Sequence, residues 1–219
     1  MLWAVGVGLQ YLVLSTLLHG PWRQLPVLLA YLICLTTTTL ADIFLQKVLG
    51  LKSPGYRTYY WTAELARQTL LLALVVSFLA RVVPIGRSRR MLVRIAVVAA
   101  TLFWCGSLWL NWQPQLNLWM TLVVRNLSFC SAVLNLCLWF ALISGERRDT
   151  SHLLLTGGLG LQMTGEAIGQ SLRQLFPILP PGLAGALLTI FSHFLCLVIW
   201  WQAIRFQPVV SQSVRGDLA

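Results

Sequence analysis

Charge is what this sequence has least of. Charged residues make up 10% of the 219 positions, and only six of them are acidic. A soluble globule of this length cannot cover its surface with so few, and 58% of the chain is hydrophobic. Mean hydropathy is +0.76, which places the chain among membrane proteins. Histidine is scarce too: His19, His152 and His193 are the three, and no pair has the spacing of a haem or zinc site. The five cysteines (Cys34, Cys105, Cys130, Cys137, Cys196) all fall inside apolar runs. They read as small buried hydrophobes and imply no disulfide framework. HExxH, GxSxG and Walker sequences are missing, so neither an enzyme nor a bound cofactor or metal is expected. The N-terminus has no basic leader or small-residue cleavage site, and the first apolar run reads as a retained helix.

Basic residues outnumber acidic ones, 16 to six, for a net charge of +10. They form no dense arm and do not alternate with aromatics, so a nucleic-acid partner is not indicated. Most sit in short loops between apolar runs, where they set membrane orientation and meet lipid headgroups.

Seven runs are long enough to be spans, at roughly 20 residues each. They cover about 2–18, 26–49, 59–83, 91–112, 117–144, 151–176 and 183–206. The expected fold is an all-α, polytopic bundle of seven transmembrane helices, a single domain over 1–219. Pro26 opens the second run as a first-turn residue. Ser53-Pro54-Gly55 reads as a turn before the third, and Gln113-Pro114-Gln115 breaks the fourth. The larger basic group, with Arg23, the arginines from Arg81 to Arg94, Arg147, Arg148 and Arg205, lies after odd-numbered runs. That group faces the cytoplasm, so the N-terminus is outside and the C-terminus inside. The expected location is the plasma membrane, here a bacterial inner membrane.

An offset of 124 superimposes Asp42 and Gln46 on Glu166 and Gln170. It also superimposes Arg81 and Pro84 on Arg205 and Pro208, and Arg23 on Arg147. Runs one to three would then repeat as runs five to seven in the same orientation, with the fourth as linker. In that topology the chain resembles the broad group of three-plus-one-plus-three seven-helix proteins, which includes sugar transporters and receptor-like members. It lacks the sugar-transporter proline-glutamine pair in its first helix, and it lacks the seventh-helix lysine that a retinal Schiff base needs. It is similar to short bacterial seven-helix proteins that enter the third helix with Tyr-Trp-x-x-Glu, here Tyr60-Trp61-Thr62-Ala63-Glu64. That resemblance implies a fold and carries no function.

Ionisable residues inside the runs are the candidate site. At a rise of about 1.5 Å per residue, Glu64 lies about 8 Å and Arg67 about 12 Å into the third helix. Arg125 lies about 12 Å into the fifth, and Asp42 and Glu166 about 24 and 22 Å up the second and sixth. All five share one depth, nearer the outside. Glu64 and Arg67 stand at i and i+3 and can pair locally, which leaves Asp42 and Glu166 to Arg125 or to water. Gln68, Asn126, Gln162, Gln170 and His193 could add hydrogen bonds. The Thr36–Thr39 run is expected to bond back to its own helix carbonyls, and Gly165-x-x-x-Gly169 permits close helix contact.

Intramembrane charges cost several kcal/mol unless paired or hydrated. They fit either a ligand or ion site, or an ion-pair network that only fixes helix register. The expected function is binding of a small polar or charged solute in an outward-facing pocket of Asp42, Glu64, Arg67, Arg125, Glu166 and His193, for transport or sensing. The rival is a non-catalytic subunit whose charges meet another membrane protein.

Overall fold

A computed structural model describes residues 2–20, 22–50, 53–82, 87–144, 150–175 and 181–205. All regular structure among them is helical: α1 (Leu2–His19), α2 (Pro26–Leu49), α3 (Pro54–Val82), α4 (Arg87–Leu110), α5 (Leu116–Ser144), α6 (Thr150–Leu175) and α7 (Pro181–Arg205). Five are long and apolar enough to cross a membrane: α2, α3, α5, and most of α4 and α7. α1 contributes a shorter apolar helix, Ala4–His19. α6 is not among the five; its glycines and its Gln162 and Glu166 dilute its apolar content.

The helix boundaries follow from local chemistry. Pro26 opens α2, and α2 stops at Gly50, whose φ of +76° is easy only for glycine. The sequence reading started α3 at Tyr59, and the structure starts it at Pro54. Ser53 is an N-cap rather than a turn residue: its Oγ accepts the Tyr56 amide at 3.1 Å, and Pro54 takes the first helical position. The extra turn carries Tyr56 up alongside α2. The basic turn at 145–149 and the tail after 205, which the orientation reading uses, lie outside the described residues.

Helix neighbours form a closed ring, α1–α2–α3–α5–α6–α7 and back to α1, with α4 outside it against α3 and α5. One end of the ring is dry. Val13 and Leu17 of α1, Leu28 and Leu32 of α2, Leu74 and Phe78 of α3, Leu138 of α5, Leu155 and Leu159 of α6 and Trp200 of α7 pack there, all buried. Trp200 donates its indole N–H to the Leu155 carbonyl at 2.9 Å and meets the edge of Tyr31 at 5.8 Å. The outward faces are apolar as well, most of all on α4, where Trp109 and Leu110 are 83% and 84% exposed. A bundle with an apolar exterior and polar groups near its axis inverts the pattern of a soluble protein and suits lipid.

Candidate functional site

Towards the end where α2 finishes and α3 begins, the ring interior turns polar. Two glycines of α6 make room for this. A Cβ on Gly165 would overlap the Ser192 side chain of α7, and one on Gly169 would overlap Thr189 and come within 2.7 Å of the Gly185 carbonyl. α6 therefore lies tight against α7, as the sequence spacing leads one to expect. Glu166, the residue after Gly165, is 3% exposed and reaches across to α3.

Glu64 and Arg67 are paired within α3: Arg67 Nη2 lies 2.8 Å from Oε1 and 2.7 Å from Oε2 of Glu64. The same Nη2 is 3.8 Å from Glu166 Oε1. One guanidinium thus serves two carboxylates, and its Nε is buried without a partner. Carboxamides complete the set. Gln68 donates to Glu166 Oε2 at 2.7 Å and, more weakly, to Glu64 Oε1 at 3.4 Å. Gln162 donates to Glu166 Oε1 at 3.2 Å and to the Tyr31 hydroxyl at 2.8 Å. Both amide nitrogens are committed to acceptors, and the Oε1 atoms of Gln68 and Gln162 are buried with no donor. Buried polar atoms normally find partners, so two orphan oxygens beside two carboxylates mark an unusual concentration of negative potential.

Asp42 is held on α2 and α3. The Tyr56 hydroxyl donates to its Oδ1 at 2.7 Å, and Gln46 donates to its Oδ2 at 3.1 Å and to the Tyr56 oxygen at 3.0 Å. The Tyr59 hydroxyl donates to the Thr38 carbonyl at 2.9 Å, a second tie between the same helices. Thr36, Thr38 and Thr39 bond back to carbonyls of their own helix at 2.8 Å. Trp61 binds Asn117 at the start of α5, 3.0 Å away.

A cavity of about 230 Å³ lies among these groups, lined by Asp42, Glu64, Arg67 and Glu166 together with Tyr59 and Tyr60. A second, of about 280 Å³, opens between α1, α2 and α7 and brings in His193. The two share Thr39, Arg67, Glu166 and Thr189, so they meet at the ion pair. Of the six residues singled out from the sequence, four surround the first cavity and His193 lines the second; Arg125 lines neither. Asp42 is supplied by a phenol and a carboxamide in its own neighbourhood, where the sequence reading assigned Arg125 or water. The Gln170 side chain lies outside the described residues. Tyr31 and Tyr56 were not singled out. The Ser53-Pro54 capping signature could have found Tyr56, since it puts that residue on the first turn of α3; no local signal marks Tyr31. Among the described residues, no three His, Cys, Asp or Glu gather as a metal site requires. Comparison with protein-family models, with curated proteins and with solved structures returns no significant match for this chain.

Proposed function

We propose that this chain is a seven-span protein of the bacterial inner membrane, N-terminus outside and C-terminus cytoplasmic. In this reading it binds a small polar or charged solute in an outward-facing pocket, for transport or sensing. The observation that carries it is the cavity itself: four ionisable residues from three helices line one space of about 230 Å³. A purely structural network gains most from packed, fully satisfied partners. Here Arg67 Nε and two glutamine oxygens are left over. Access would switch by rocking α1–α3 against α5–α7. The ring order, with α1 beside α7 and α3 beside α5, is the arrangement that a two-fold pair of three-helix units requires.

A second reading, a subunit of a larger membrane assembly, is favoured by α4. It stands outside the ring with a broad apolar face and leaves a groove of about 530 Å³ against α3. Native mass spectrometry of the protein gently extracted from its own membrane separates the two. A bound small molecule that is lost in Glu64→Gln and Glu166→Gln supports the pocket. A stoichiometric protein partner without a small molecule supports the subunit. Proteoliposome uptake abolished by Glu64→Gln would then distinguish transport from sensing.

A further inference from the structure

The two adjoining cavities differ in chemistry. The first is walled by carboxylates, threonine hydroxyls and the rings of Tyr59 and Tyr60. Most of the surface of the second is apolar, with Leu35, Ile190 and Phe194 in its wall; its polar residues are Gln10, His193 and those it shares with the first. Together, the described residues of both walls hold three carboxylates against one guanidinium, an excess of two negative charges.

The distribution of that excess matters more than its size. Arg67 Nη2 already contacts both oxygens of Glu64, so this pair is largely neutralised. Asp42 is held by the neutral donors Tyr56 and Gln46. Glu166 is held by the neutral donors Gln68 and Gln162, with Arg67 at 3.8 Å. Asp42, served by neutral dipoles, keeps its field, and Glu166 shares one guanidinium with Glu64 and keeps part of its own; in a low-dielectric surround such a field attracts a cation and repels an anion. Tyr59 and Tyr60 on the same wall are side chains of a type that adds a preference for positive charge.

We infer that the two adjoining cavities together take an amphiphilic cation. Its ammonium or amine head sits between Asp42 and Glu166 near Tyr59 and Tyr60, and its apolar part lies along Leu35, Ile190 and Phe194. The inference rests on the pocket reading above and adds the sign of the charge and the presence of a tail. A purely polar cation would fill only the first cavity, and a neutral lipid tail would leave the carboxylates unanswered.

Three probes test it on the full chain in nanodiscs of zwitterionic lipid, with empty nanodiscs as the reference: octyltrimethylammonium, tetramethylammonium and octanoate. Octyltrimethylammonium is expected to bind about tenfold or more tighter than tetramethylammonium, through burial of its chain. Octanoate, with the same tail and opposite charge, should not displace it. Asp42→Asn and Glu166→Gln, near-isosteric and checked by thermal unfolding, should each weaken octyltrimethylammonium by about tenfold or more. Ile190→Trp should remove the advantage of the tail, bringing octyltrimethylammonium to the affinity of tetramethylammonium. Octanoate binding as tightly as octyltrimethylammonium, or full-strength binding to both carboxamide variants, overturns the cation assignment while the pocket stands. An undiminished tail advantage in Ile190→Trp overturns the placement of the apolar part. No binding of any probe overturns the inference, and if no small molecule accompanies the protein from its membrane, the pocket reading falls with it.

Discussion

The two ends of the helical ring are built from the same helices on opposite principles. At the dry end, Trp200, Phe78 and their leucine neighbours fill the interior with apolar groups, and the Trp200 indole N–H finds the Leu155 carbonyl. At the polar end, carboxylates, a guanidinium and carboxamides meet around open space, and several of their atoms lack partners. The first arrangement gains from close packing and would lose from any gap. The second leaves open space among charged and polar side chains. Tyr31 touches both: its ring abuts Trp200, and its hydroxyl accepts from Gln162. If the proposed pocket is correct, stability and recognition are divided along the bundle axis, and substitutions at the two ends should separate them.

The largest effect is expected at the dry end. Trp200→Ala should cost about 3–5 kcal/mol through the cavity it leaves, read as a lowered unfolding midpoint in detergent. Binding by the surviving folded protein should stay near normal. Arg67→Leu should come next. It leaves Glu64 and Glu166 without their guanidinium, at about 2–5 kcal/mol, and unlike the tryptophan variant it should change ligand retention as well as the unfolding midpoint. If Arg67→Leu unfolds the protein no more readily than a conservative surface change, the polar end is less buried in its membrane than the ring implies. Tyr31→Phe tests the joint between the ends; losing one hydrogen bond there should cost about 1 kcal/mol, since Gln162 keeps Glu166 as an acceptor. Smallest of all should be Trp61→Phe, at about 0.5–1 kcal/mol for one partly exposed hydrogen bond to Asn117. A larger loss there would place the start of α5 among the supports of the site.

Much of the fold can be read from composition along the chain. Apolar runs of bilayer length, punctuated by proline, glycine and short polar turns, delimit seven helices to within a few residues at most ends. α3 and α4 start earlier than the sequence reading has them, at Pro54 and Arg87; at α3 this is because Ser-Pro-Gly serves equally as a turn and as an N-cap followed by a first helical turn, and only the Ser53 bond to Tyr56 decides. The charged positions are legible for an energetic reason: each stands out against a lipid-facing background where it is costly. Their partnerships are not. Position along a helix gives depth, whereas facing depends on rotation about the axis, which sequence depth leaves open. Arg125 shares a nominal depth with Glu64 yet lines neither cavity, and Gln162 reaches Tyr31 across 131 residues of chain. Low-complexity cues such as Gly165 and Gly169 fared better, because close approach depends on size alone.

The position of α4 outside the ring has a consequence for how such a chain can be assembled. α3 and α5 both run from the polar end to the dry end, so the end of one and the start of the other lie at opposite ends of the bundle. No short loop can join them, and the 24 residues of α4, about 36 Å at helical rise, span the gap. It is anchored on the way by Trp104 to Thr69 and by Trp119 to the Leu108 carbonyl. α4 is therefore a return path rather than a wall. Severing the chain within it would leave two fragments, each with three ring helices in the same sense. Their coexpression is a direct route to asking whether this protein can be reassembled from halves.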